Sequence, residues 1–193
     1  MRKTAYLFLV IFYVAVIQLV AQSSILQSGY WYKVAVKQNG VYRISRSQFV
    51  KMGFSATTDP RKIRIFGYPA GMLPQSNAVA RSEGLTELAI LVTGQEDGIF
   101  HNNDAIYFYA EGPDRHWYDS AREVFGYEKN LYSDYSFYFI TVGPGNGKRI
   151  TTISNLEGTY PLIESYDNFI YHESDLHNEL KSGRMWFGEK FDL

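Results

Sequence analysis

Few residues of this 193-residue chain stand at spacings that carry chemistry. His172-Glu173-Ser174-Asp175-Leu176-His177 approaches the zinc-peptidase pattern HExxH. That pattern works because histidines at i and i+4 share a helix face and the glutamate serves as base. The second histidine is at i+5, about 140° around a helix from the first, so the run reads as polar side chains at the surface. Gly143-Pro144-Gly145-Asn146-Gly147-Lys148 approaches the phosphate loop GxxxxGK[ST]. Val142 and Arg149 stand where that loop requires Gly and Ser or Thr, and no helix pattern follows, so a hairpin turn is expected. Asp97-Gly98, Asn102, Asn103 and Asp104 offer the oxygen donors that calcium prefers, without the alternating donors and closing glutamate of an EF-hand. Asp, Asn and Gly are also what tight turns use; the turn is the reading adopted, with a calcium ion near Asp97–Asp104 as the alternative.

The remaining candidates are weaker. No serine lies in G-x-S-x-G or another nucleophile context, and His101, His116, His172 and His177 all sit in polar stretches, as solvated side chains do. Cysteine is absent, which removes thiol catalysis, thiolate metal sites and disulfides from these residues. The sequence therefore assigns no catalytic residue, no metal ligand and no cofactor, and it leaves binding residues unspecified. No basic block appears that would suit nucleic acid.

The elements that would position such groups begin after an export signal. Arg2 and Lys3 precede an uncharged apolar run, Ala5 to Val20, and then Ala21-Gln22-Ser23-Ser24. That order is a secretory signal peptide. The run falls short of the about 20 apolar residues that span a bilayer, so residues 1–21 are expected to be removed and residues 22–193 to form one β-rich domain. No cysteine follows the run to carry a lipid anchor. Without Arg2 and Lys3 the 19 basic residues fall to 17 against 20 acidic ones, a net charge of about −3.

The 16 Tyr, 13 Phe and 3 Trp favour strands, and 16 Gly supply turns. An all-β, sandwich-like domain with one short helix is expected. Tyr30 to Val36 and Val41 to Ile44 read as strands joined at Asn39-Gly40, a strong hairpin signal. Ser45 to Met52 reads as the helix, with Ser45 as cap, Gln48 completing a capping box and Gly53 as the left-handed stop. Lys62 to Phe66, Leu85 to Val92 (central in its sheet), Ala105 to Ala110 and Tyr135 to Val142 read as strands. Gly67 to Gly84, Gly94 to Asp104 and Gly112 to Asp134 read as connections. Gly143 to Gly147 is expected to turn the chain into Lys148 to Ile153. The chain stops inside an aromatic run, with Trp186, Phe187 and Phe191 lacking a following strand. The domain is therefore expected to continue beyond Leu193.

Several blocks, in order, resemble a known family. They are Gly29-Tyr30-Trp31-Tyr32-Lys33-Val34, Asn39-Gly40-Val41-Tyr42-Arg43-Ile44, Ile65-Phe66-Gly67 with Gly71-Met72-Leu73-Pro74, and Asp97-Gly98-Ile99-Phe100 with Asp104-Ala105-Ile106-Tyr107-Phe108-Tyr109. Glu111-Gly112-Pro113, Asn130-Leu131-Tyr132-Ser133-Asp134, Gly145-Asn146-Gly147-Lys148-Arg149-Ile150 and Ser182-Gly183-Arg184-Met185-Trp186-Phe187-Gly188-Glu189 follow. Together they resemble the N-terminal region of PorU-type sortases, gingipain-like cysteine peptidases of the type IX secretion system. The resemblance implies an exported, outer-membrane-associated protein at the periplasm or cell surface. Its full-length relatives cleave the C-terminal sorting domain from secreted cargo and attach the cargo to the cell surface. Their Cys and His lie in a downstream catalytic domain, so no catalytic residue carries over to this chain. The implied role is a non-catalytic segment that meets cargo proteins or other secretion and attachment proteins. The alternative from composition is a self-standing exported β-module that binds carbohydrate or protein.

Intact-mass analysis of exported protein is expected to place the mature N-terminus at Gln22. A retained Met1 would make the apolar run an anchor.

Overall fold

The computed structural model describes residues 24–193 except 75, 83, 155–157, 159, 166–169, 173, 182–184, 192 and 193. The expected signal peptide, Glu173 of the histidine motif and Ser182-Gly183-Arg184 lie outside the described residues.

Two antiparallel sheets share one core. The first has the order β1-β9-β3-β4, from Tyr32–Val36, Ser136–Val142, Ile63–Gly67 and Thr86–Leu88. The second has the order β2-β6-β5, from Gly40–Ser45, Ala105–Ala110 and Leu91–Val92. Residues two apart share a face of a strand, and the inward rows are apolar. Val34, Val36, Ile63, Ile65, Tyr138 and Ile140 come from the first sheet; Ile44, Val92, Ile106 and Phe108 meet them from the second. Ile65 lies opposite Ile140 in the ladder, and both are fully buried. The architecture is the expected all-β sandwich.

The one α-helix among the described residues, α1 (Arg46–Lys51), forms where the capping residues placed it. Ser45 Oγ accepts from the Gln48 N–H, and Gln48 Oε1 accepts from the Ser45 N–H at 2.8 Å. Gly53 closes it with φ +95°, a conformation that favours glycine. Phe49 plugs the open end of the sandwich, stacked on Phe54 at 4.3 Å and edge-on to Phe100.

Four expectations are corrected. Asn39-Gly40 is not a hairpin turn: β1 pairs with β9 and β2 with β6, so the chain crosses there from one sheet to the other. Asn39 Oδ1 instead accepts from the Gly112 N–H at 2.7 Å, which joins the starts of two distant segments. Leu85 to Val92 is not one central strand. It splits into β4 at the edge of the first sheet and β5 at the edge of the second. The run is apolar because Leu88, Ile90 and Val92 enter the shared core as it passes between the sheets. The connection from Gly112 to Asp134 contains a hairpin of its own, β7 (Arg115–Asp119) with β8 (Val124–Glu128), whose residues are largely solvent-facing. Finally, the segment after Gly143 does not fold back on β9. Lys148 and Ile150 bracket Ile90 through the Ile90 N–H to Lys148 O and Ile150 N–H to Ile90 O bonds.

Arg149 fixes that crossing. Its guanidinium donates to the carbonyls of Pro60, Arg61 and Ile63 and to Gln95 Oε1. Burial pulls its pKa down, against the charges of Glu87 and Asp59. Towards the other end of the chain Tyr171 stacks on Tyr127, Lys129 pairs with Asp175, and His177 bridges to Phe187. Trp186 and Phe187 are half exposed and Phe191 is 91% exposed.

Glu87 holds β4 in place. Its carboxylate accepts from Arg64 Nε at 2.9 Å, Arg64 Nη2 at 2.5 Å and the Lys148 N–H at 2.8 Å. Burial opposes its charge, but these hydrogen bonds and the two cations outweigh it, and the carboxyl stays below its ordinary pKa of 4.5. A depressed folded pKa contributes stability above the unfolded value, and that contribution is lost as pH falls through the folded one. Glu87→Gln is therefore expected to lower the urea midpoint at neutral pH, with the gap to the parent closing as the pH falls below 4.5. A gap of constant size in a pH series would mean that the carboxylate's charge is not what matters.

Candidate functional site

The outward face of the first sheet carries a row across three strands: Lys33 opposite Phe139, and Phe139 opposite Phe66. Phe66 is covered by Trp31 and by the Arg64 guanidinium. Phe137 and Phe139 are left as the floor of a groove of about 610 Å³. The loop after β3 forms one wall, with Tyr68, Pro69, Met72 and Leu73, and Ala80 to Ser82 continue it. Asn130 and Tyr135 form the other wall. Lys33 Nζ stands 3.6 Å from the centroid of the Phe137 ring.

The walls are tied to the core through one side chain. The Tyr138 hydroxyl accepts from the Glu111 N–H at 2.7 Å and donates to the Glu111 carbonyl at 3.1 Å. Glu111 Oε2 in turn accepts from the Ala70 N–H, at the base of the first wall. Gly67 leaves room for the Tyr138 ring, since a Cβ there would fall 2.6 Å from it. Burial raises the Tyr138 pKa, which keeps the hydroxyl protonated and able to donate. On the second wall Asp114 accepts from Tyr127 Oη and from the Asn130 N–H. Asn130 Oδ1 then accepts from the Tyr132 and Ser133 N–H groups, which sets the approach to Tyr135.

The residues whose spacing suggested chemistry are spent elsewhere. Asp97 Oδ1 accepts from the Ile99 N–H and Oδ2 meets His101 Nε2, each at 2.9 Å. The His101 hydrogen bond is the main reason that the Asp97 pKa is lowered. Asp104 Oδ2 accepts from the His101 N–H, and Asn102 Oδ1 accepts from Arg46. The aspartate oxygens close local turns, and the Asn102 oxygen ties the loop to α1. Among the described residues no group of three or more His, Asp and Glu is placed to hold a metal ion. His172 pairs with Glu189 at 2.9 Å, whereas His177 lies in the backbone bridge to Phe187, so the two histidines have separate partners. The ring of His116 packs edge-on to Tyr127. The Gly143 and Gly147 N–H groups donate to the Lys62 and Arg61 carbonyls, which leaves neither to cradle a phosphate.

The groove itself was not read from the sequence. Its signal was Gly71-Met72-Leu73-Pro74, an apolar cluster inside a loop that has no apolar period.

One solved structure decides the relationship. The chain is similar to the crystal structure of dimeric latent PorU from Porphyromonas gingivalis, with 31% identity, a TM-score of 0.54 and coverage of 69% of this chain. The chain is related to PorU. It covers 11% of the PorU chain, about a tenth of its length. No protein-family model matches it, and no curated protein does. The PorU relationship agrees with the resemblance of the ordered blocks. Some of those block residues prove to hold one another: Asn39 with Gly112, and Asn130 with Ser133.

Tyr138→Phe removes both bonds to Glu111 and leaves a part-buried N–H without its acceptor. The expected loss is about 1–3 kcal/mol of stability, read from urea denaturation. Faster exchange of the Ala70 amide is expected beside it. Unchanged exchange at Ala70 would show that the groove wall does not rest on this link.

Proposed function

We propose that this chain is a non-catalytic β-rich segment of a type IX secretion sortase. Residues 1–21 direct export, and residues 22–193 form a domain that supports or docks a catalytic domain supplied elsewhere. The observation that carries this reading is the PorU relationship over 69% of the chain. It is joined by the absence of cysteine, the nucleophile that the resemblance assigns to the family's catalytic domain. The protein would act at the periplasm or cell surface, associated with the outer membrane. Its partners would be secreted cargo with C-terminal sorting domains and other secretion or attachment proteins. Among the described residues no helix is long and apolar enough to cross a membrane.

The apolar groove favours a second reading, a self-standing exported module that binds a ligand at the cell surface. The genomic sequence following Leu193 separates the two: a gingipain-like domain with its Cys and His supports the first, a stop codon the second.

Purified protein incubated with a cargo that bears a sorting domain is expected to leave it intact and unattached. Cleavage that survives repurification, and is lost on changing one residue of this chain, would overturn the non-catalytic assignment.

A further inference from the structure

We propose that the groove over β9 binds an extended polypeptide segment whose aromatic or aliphatic side chains are flanked by carboxylates. The proposal rests on the groove's composition and geometry and does not depend on the sortase reading.

A volume of about 610 Å³ lies in the range of ligand-binding clefts. The floor is Phe137 and Phe139, and the walls add Pro69, Met72 and Leu73. Rings and a flexible thioether make a surface that accepts varied apolar side chains. The charged groups at the groove are Lys33 and Arg81, and none of the described lining residues is acidic. Among the described residues neither cation forms an ion pair: Lys33 stands over the Phe137 ring, and Arg81 donates to Asn77 Oδ1. Lys37, over the Tyr135 ring at 5.1 Å, adds a third cation beside the same wall. Cations without acidic partners around an apolar trough select an apolar ligand with negative flanks.

The same inventory argues against a sugar. Carbohydrate hydroxyls need free, planar polar side chains beside the stacking ring. Asn130 is such a side chain, and its amide is already used by Tyr132, Ser133 and the Pro113 carbonyl. None of the three tryptophans lines the groove: Trp31 packs on Phe66 and donates to the Ser28 carbonyl, Trp117 lies on the separate hairpin, and Trp186 lies beside Phe187 at its bridge to His177.

The test is fluorescence anisotropy with the purified protein and fluorescein-labelled Asp-Phe-Glu-Leu-Asp. Saturable binding that weakens with added salt is expected. Lys-Phe-Lys-Leu-Lys and Asp-Gly-Glu-Gly-Asp should each bind about tenfold more weakly. The double variant Lys33→Glu with Arg81→Glu should lose the acidic peptide by a similar factor. Ala80→Trp, which fills the groove, should abolish binding. Circular dichroism monitors folding, and Lys33→Gln with Arg81→Gln serves if charge reversal perturbs it. Absence of binding, equal affinity for both charge versions, or indifference to the cation variants would overturn the proposal. So would preferential, Lys33- and Arg81-dependent binding of an oligogalacturonate, which would assign the groove to an anionic sugar.

Discussion

Tyr138 is the side chain on which both the core and the groove depend. Its ring sits between the sheets against Phe108, and its hydroxyl crosses to the backbone of Glu111 at the end of β6. A buried hydroxyl with no partner would be costly, whereas one that donates and accepts specifies a single arrangement. The relative position of the two sheets is therefore set by a polar contact as well as by apolar burial. Because Glu111 also holds Ala70, the same contact fixes where the groove wall begins. Gly67 belongs to this unit, since any side chain there would occupy the space of the Tyr138 ring.

What was legible in the sequence was local. The α1 cap needs only Ser45, Gln48 and Gly53, all within one turn of where they act. The strands at Ala105–Ala110 and Ser136–Val142 were legible because β-rich aromatic runs have few other uses. What misled was chemistry that has both a local and a distant use. Asn39-Gly40 suits a tight turn, yet the asparagine amide reaches Gly112 and the chain changes sheets. Leu85 to Val92 read as one central strand because the run ends in an almost continuous apolar stretch, Leu88 to Val92. The apolar side chains serve a core shared by two sheets, and nothing within the run shows where one sheet ends and the other begins.

The groove illustrates the same limit. Phe137 and Phe139 were visible as members of a strand, but period-2 alternation does not reveal which face stays uncovered. That outcome depends on the path of the loop after β3, which is set by Glu111 and by the contact between the Leu131 N–H and Met72 Sδ. The polar motifs behaved in the opposite way. Their residue types were plain in the sequence, and the fold uses them to close turns and pin crossings. Arg149, which stands where a phosphate loop would need Ser or Thr, is instead the donor that gathers the carbonyls of Pro60, Arg61 and Ile63.

The pairing of β1 with β9 sets the order in which this domain can assemble. Tyr32 meets Ile140 and Val36 meets Ser136, so the first strand has no ladder until the last one has been made. The same β9 lies between β1 and β3, so the central strand of the first sheet is also its final one. Such long-range pairing carries a large loop-closure cost before any contact repays it, and it slows folding. A chain emerging N-terminus first would hold Tyr32–Val36 unpaired until Ser136–Val142 follows. The topology thus delays closure of the first sheet until β9 has emerged, although the second sheet, β2-β6-β5, has all of its strands before that point.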